Sequence, residues 1–384
     1  MEHQLAHFIG ILALALLAAK VFGYLVQPAV LGELLAGVIL GTSVLGMVDP
    51  SNEVFQLLAE LGVIILLFEI GLETDLRKLL HVGASSAVVA AVGVALPFAL
   101  GYAACLALGT GSLVAVVTGA ALTATSVGIT ARVLTDLGKL QEPESQIILG
   151  AAVIDDVAGL VILSVVAGVA QGEGVTALGV VKVTAIALGF LLATLLIGSL
   201  LVPWIMRLVD RWRLPGGATM VGVMLALGLA SLADLAGSAM IIGAFAAGLL
   251  LARTPQAHEI TKGVGYLGQF FVPLFFVTVG AQVNVHVFNV FDPANHRTLW
   301  IGGLLILVAV ISKFVAGYAP VWFRGRKSII GVGMIPRGEV GLIFAQMGLA
   351  SGVFNEGLFS AVTLMVMVTT FMAPPLLKML FQRK

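Results

Sequence analysis

Two adjacent acids, Asp155 and Asp156, stand in the run Gly150-Ala-Ala-Val-Ile-Asp-Asp-Val-Ala-Gly159, well inside an apolar segment. An ionisable group at a bilayer centre costs roughly 2.5–3.5 kcal/mol even on the lenient insertion scale, so two together need a reason. Neighbouring carboxylates repel when both are ionised and titrate as a coupled unit. Such a pair is suited to trading a proton for a cation. Successive helical residues point about 100° apart, so one carboxylate can meet a protein partner while the other meets a cavity. The competing reading is a structural polar pair bonded to neighbouring helices. A single amine, Lys313, lies in Val310-Ile-Ser-Lys-Phe-Val-Ala316 and reads as mid-span, too deep for its side chain to reach the surface. An acid partner would reduce its cost.

Two further segments read as interruptions of helices. Thr123-Ala-Thr-Ser-Val-Gly128 breaks one span with hydroxyls and glycine, and Ile335-Pro-Arg-Gly-Glu-Val-Gly341 breaks another at Pro336. Proline removes a backbone donor and clashes with the preceding turn. Unwound backbone at membrane depth is tolerated only where it is buried in protein or lines a cavity. Thr125 and Ser126 offer oxygens to a hard cation or bond back to their helix; both readings stay open. Arg337 and Glu339 can neutralise the partial charges of half-helix ends, or contact an ion directly. Glu69 and Glu33 also fall within spans, Glu33 near a helix start and Glu69 nearer an end. The six His residues show no metal spacing, and Cys105 reads as a small packing residue. No cofactor is expected.

The elements that must position these groups are membrane helices. Residues are 60% hydrophobic and 10% charged, with a mean hydropathy of +1.11, against a soluble norm of roughly 25% charged. Lipid must then be the solvent for most of the chain. Zero net charge gives no case for nucleic acid, and one cysteine excludes a disulfide framework. A crossing helix needs about 20 apolar residues. The pattern predicts an all-α polytopic protein of thirteen spans, at 4–24, 28–47, 54–72, 80–108, 111–134, 145–170, 176–202, 216–234, 236–252, 259–281, 298–322, 327–350 and 357–380. The first is expected to be retained, since no basic n-region precedes it. Short loops, and an end close to the last span, argue against an appended nucleotide-binding domain.

Alternate loops differ sharply in basic residues. One side takes 16 of the 20 Lys and Arg and the other only Lys182 and Arg297, with Lys313 and Arg337 inside spans. The basic side is expected to be cytoplasmic, placing the N-terminus outside and the C-terminus inside.

The halves also resemble each other. Leu31–Leu40 aligns with Ile242–Leu251, Leu66–Gly71 with Phe275–Gly280, and Val127–Ile129 with Val340–Leu342, all at an offset of about 210 residues. Spans 1–6 then correspond to spans 8–13, with span 7 as connector. A shift of seven spans is odd, so the two six-helix repeats must be inverted, which is a secondary-transporter architecture. Intramembrane aspartyl proteases need facing acids on separate helices, and prenyl transferases need further Asp at metal spacing near helix ends. Neither pattern is present, so no enzyme is expected. A channel is disfavoured by the buried Lys and the repeat.

Together the Val153-Ile-Asp-Asp-Val157 motif, Lys313 and the two breaks resemble the bacterial cation:proton antiporter family, within its CPA2 branch, over essentially the whole chain. The resemblance implies Na⁺ (or Li⁺) exchanged for H⁺ by alternating access, with electrogenic coupling, and a K⁺/H⁺ exchanger as the nearest alternative. It implies a homodimer in a bacterial inner membrane. A dimer, or scaffold, domain would take 1–78 and 214–296, an ion-transport core 79–172 and 297–384, and a linker helix 173–213. On this analogy Asp156 is the metal (Na⁺) ligand and proton acceptor. Asp155 pairs with Lys313 when sodium is absent, and the core moves like an elevator.

Overall fold

Length decides what each apolar segment becomes. The computed structural model describes residues 2–26, 28–75, 77, 81–170, 177–212, 216–289 and 291–382, and no strand forms among them. Lys78, Arg213, Arg383 and Lys384 lie outside the described residues, as do the side chains of Lys182 and Glu339. The α-helices are α1 (Glu2–Leu25), α2 (Ala29–Leu40), α3 (Glu53–Glu73), α4 (Gly83–Ala107), α5 (Ser112–Ala121), α6 (Val127–Asp136), α7 (Pro143–Ala170) and α8 (Ala177–Trp212). The second half adds α9 (Gly217–Leu235), α10 (Met240–Leu251), α11 (Ala257–Ala281), α12 (His296–Ala316), α13 (Lys327–Gly333), α14 (Glu339–Ala350) and α15 (Glu356–Gln382). Eight of the described helices are long and apolar enough to cross a bilayer.

Four short ones work in pairs. A ten-residue helix such as α5 or α6 covers about 15 Å, half of a hydrocarbon core of about 30 Å. Joining α5 to α6 and α13 to α14 makes one crossing from each pair, while α2 and α10, at twelve residues, stay short and unpaired. The breaks are narrower than the sequence pattern predicts. Helix resumes at Val127 and at Glu339, so Gly128 and Gly341 belong to the second half-helices. Helix α8 runs to residue 212 where apolar content alone predicts 202. Its polar Arg207 and Asp210 alternate with buried Met206 and Val209, so one face keeps packing after the mean hydropathy falls.

The chain divides into two compact units: residues 1–77 with 185–282, and residues 78–184 with 283–384. In the first, α3 packs on α10 and α11, and α2 packs on α1 and α11. Asn52 starts α3 by accepting from the Val54 N–H at 3.0 Å, an N-cap that satisfies one orphan donor. The run Ile64–Phe68 of α3 is buried on every face.

Glycine pairs set how closely these helices approach. A Cβ on Gly37 would sit 2.2 Å from the Val277 carbonyl oxygen and 2.9 Å from Gly280 Cα. A Cβ on Gly248 would sit 2.5 Å from the Phe68 oxygen and 2.6 Å from Gly71 Cα. Gly37 and Gly248 are repeat equivalents, and so are Gly280 and Gly71. Each repeat's first glycine therefore meets the other repeat's second, the exchange of partners that a two-fold relation requires. Gly32 against Phe22 and Gly243 against Leu229 repeat the theme, each with a virtual Cβ 2.1 Å from a carbonyl oxygen. Lipid supplies no hydrophobic drive between helices, so backbone contact of this kind is what holds the unit together.

In the second unit α4 packs on α5, α7 and α12, and α12 packs on α15. The two breaks are stitched to each other. The Ser126 N–H donates to the Pro336 carbonyl at 2.8 Å, and Thr130 Oγ1 donates to the Gly333 carbonyl at 2.7 Å. A Cβ on Gly338 would lie 2.6 Å from Ser126 Oγ, so a larger residue there would displace the Ser126 side chain. Sequence symmetry pointed to two breaks; the cross-bonds between them are a property of the folded unit.

Candidate functional site

Helix α7 opens on Pro143, whose missing N–H is no loss in a first turn. It then carries Asp155 and Asp156 to its middle. Asp155 is buried and Asp156 half-buried, as expected for neighbours about 100° apart on one helix. Asp155 Oδ2 accepts from Lys313 Nζ at 2.6 Å, with both side chains almost wholly removed from solvent (1% and 0% exposed). The same oxygen accepts from Thr125 Oγ1 at 2.7 Å. The unwound backbone after α5 thus delivers a hydroxyl to the acid–amine pair.

Lys313 is not mid-span in its helix. It lies in the last turn of α12, which stops at Ala316. The reason lies in the next residues. Gly317 crosses the α13 backbone, where a Cβ would meet the Gly331 nitrogen at 2.2 Å, and Pro320 prevents any resumption of the helix. A cation there also meets the negative end of the α12 dipole. Room for the amine comes from α4: a Cβ on Gly93 would stand 3.2 Å from Lys313 Nζ.

Arg337 is the second buried cation. Its NH1 turns back on the break and donates to the Met334 and Ile335 carbonyls at 3.2 and 3.1 Å. These are carbonyls that α13 leaves unpaired as it ends, so the guanidinium neutralises a helix C-terminus. The Arg337 carbonyl in turn accepts from Thr370 Oγ1 of α15. Glu339 begins α14, at the positive end of that half-helix.

Two oxygens beside the acid–amine pair stand out. Asp155 Oδ1 and Ser126 Oγ are buried and have no hydrogen-bond partner in the protein. Buried polar groups are rarely left in this state, and each one calls for an occupant or a function. Among the described residues no three His, Cys, Asp or Glu converge as a metal cage. A cation here would be held by carboxylate, hydroxyl and backbone oxygens, the ligands a hard ion prefers.

Asp155, Lys313, Thr125, Ser126 and Arg337 all lie in the second unit, as does Asp156. Glu33 and Glu69 lie in the first. Glu33 is buried, and Glu69 rests against Gly268, where a Cβ would meet its Oε1 at 2.5 Å. Three supporting residues escaped the sequence reading: Gly93, Thr130 and Thr370. The Thr369-Thr370 pair inside the last apolar span was a usable signal. Nothing local marks Gly93.

A family model for the transmembrane sodium/hydrogen exchanger matches residues 9–383. The high-affinity Na⁺/H⁺ antiporter NhaS3 of Synechocystis sp. is 40% identical, the match covering 92% of this chain and 85% of that protein. The Na⁺/H⁺-K⁺ antiporter GerN of Bacillus cereus is 37% identical over 97% of this chain and 96% of its own length. Among solved structures, the sodium proton antiporter MjNhaP1 of Methanocaldococcus jannaschii superposes with a TM-score of 0.70. That likeness covers 98% of this chain and 96% of that one at 18% identity, so it speaks for the fold. A multi-pass helical protein with paired helix breaks, matched from end to end by these relatives, is a member of the transmembrane sodium/hydrogen exchanger family.

Proposed function

We propose that the protein exchanges Na⁺ for H⁺ across a membrane, at a site formed around Asp156 and Asp155. The observation that carries this reading is the buried Asp155–Lys313 pair, with an unsatisfied carboxylate oxygen, beside the half-buried Asp156 and the crossing of two broken helices. Two acids and two buried cations, Lys313 and Arg337, balance one another. Adding Na⁺ to such a site leaves one charge in excess unless a proton departs, and burial makes that excess costly. Exchange follows from this charge balance. In the proton-loaded form Asp155 holds Lys313 and sodium is excluded. When the site releases its proton, Na⁺ takes Asp156 together with hydroxyl and main-chain oxygens, with Thr125 and Ser126 of the first helix break as the hydroxyl ligands. Arg337 and Glu339 support the half-helix ends. Loaded forms cross, whereas the form that has lost its proton and gained no Na⁺ keeps one unbalanced negative charge and is too costly to carry.

The second unit serves as the ion-transport core and the first as a scaffold through which two copies associate, with the core moving relative to it. The basic loops face the cytoplasm of a bacterial cell. If two protons move per Na⁺, one net charge crosses per cycle and the potential contributes about 2.3 kcal/mol per 100 mV. Potassium is a second reading, favoured by the likeness to GerN, a Na⁺/H⁺-K⁺ antiporter.

A pH-dye assay in proteoliposomes tests the proposal. Pulses of Na⁺ and Li⁺ should collapse an imposed proton gradient at lower concentration than K⁺, and an inside-negative potential should alter the rate. A response to K⁺ alone would move the substrate to potassium, and no response to any of the three would end the proposal.

A further inference from the structure

The first unit holds a cavity of about 380 Å³ that the exchange site does not use. Helix α8 and the end of α10 line it, including Leu195, Leu250, Arg207, Arg253, Asp210 and Gln256. The two helices pack closely at Gly198, where a Cβ would lie 2.3 Å from Leu250 Cδ1. One end is apolar and the other is charged. Among the described residues Arg253 has no hydrogen bond or ion pair to the protein, and Arg207 is bound only through Nε, to the Pro203 carbonyl at 3.2 Å. The remaining guanidinium N–H groups of both arginines are therefore available. Asp210 offsets only one of the two positive charges. Its Oδ2 is occupied by Gln256 Nε2 at 2.5 Å, and the lining keeps one positive charge in excess.

We infer that this cavity binds the phosphate of an anionic glycerophospholipid, with an acyl chain lying along Leu195 and Leu250. The planar forks of two arginines match phosphate oxygens in a bidentate manner. Basic pockets between membrane helices at the cytoplasmic side are suited to lipid headgroups, and the basic-residue bias puts this end of α8 on that side. A soluble anion would use the arginines but leave the leucine wall wet. A phospholipid covers both. The site stands apart from the acid–amine pair and does not rest on the exchange reading.

Native mass spectrometry of the purified full chain, offered equal amounts of dioleoylphosphatidylglycerol and dioleoylphosphatidylcholine, tests the inference. The wild-type protein should retain phosphatidylglycerol preferentially. Arg253→Gln should lower its retention about fivefold, and Arg207→Gln with Arg253→Gln about 30-fold, corresponding to about 1 kcal/mol per arginine. Arg253 makes no contact that folding would miss, so the single variant keeps the test usable if the double one fails to fold. Equal retention by the variants, or equal binding of the two lipids by the wild type, would overturn the proposal. Inorganic phosphate at millimolar concentration should not displace the lipid; displacement would make the cavity a free-anion site and reject the lipid assignment.

Discussion

Removing the amine from the acid–amine pair exposes how it is held. In Lys313→Met the Asp155 carboxylate would keep a single donor, Thr125 Oγ1 at 2.7 Å, in surroundings that leave its side chain only 1% exposed. Removing one partner of a buried pair typically costs about 3–5 kcal/mol, because the remaining charge is uncompensated. For a chain of this size that corresponds to a fall of about 4–6 °C in melting temperature. The second half of the experiment is the double variant, Lys313→Met with Asp155→Asn. Asparagine keeps an acceptor for Thr125 and carries no charge, so most of the loss should be recovered. The assay is thermal unfolding in detergent at neutral pH for wild type, both singles and the double, read as a mutant cycle. If the double variant melts as low as Lys313→Met, or if Lys313→Met melts with the wild type, the two side chains are not coupled and the argument from burial fails.

Other perturbations follow from the same contacts. Gly93→Val puts a side chain within about 3 Å of the amine nitrogen and should reproduce much of the Lys313→Met defect in melting temperature, overpacking costing about 1–3 kcal/mol. Thr125→Val removes one of two donors to Asp155 Oδ2 and should cost about 1.5–3 kcal/mol in a chemical-denaturation comparison. Gly37→Ala and Gly248→Ala occupy equivalent crossings and should destabilise by similar amounts; a tolerated substitution at one and collapse at the other would break the two-fold relation. Lys313→Gln should render any retained exchange insensitive to an imposed potential, measured with a potassium diffusion gradient in proteoliposomes.

Much of this architecture was legible because membrane burial makes ionisable residues conspicuous. Asp155, Asp156 and Lys313 stood out as charges in apolar runs, and the Gly37, Gly71, Gly248 and Gly280 positions stood out through the repeat. Their contacts were not legible. Asp155 and Lys313 are 158 residues apart, and only the packing of α4, α7 and α12 brings them together. The sequence pattern puts Lys313 mid-span because the apolar composition continues past Ala316, while the backbone turns at Gly317 to pass α13. Gly93 carries no local mark, since its role is to leave space for a side chain from another helix. The α8 end was likewise hidden, because hydropathy averages a face that packs with a face that does not.

The central claim is that a proton and a cation compete for the acids on α7. Its most direct test is Asp156→Asn in proteoliposomes, with folding checked by melting temperature and monodispersity. Sodium pulses should then move no protons, while the wild type responds under the same gradient. A folded Asp156→Asn protein that exchanges Na⁺ for H⁺ at the wild-type rate would contradict the account.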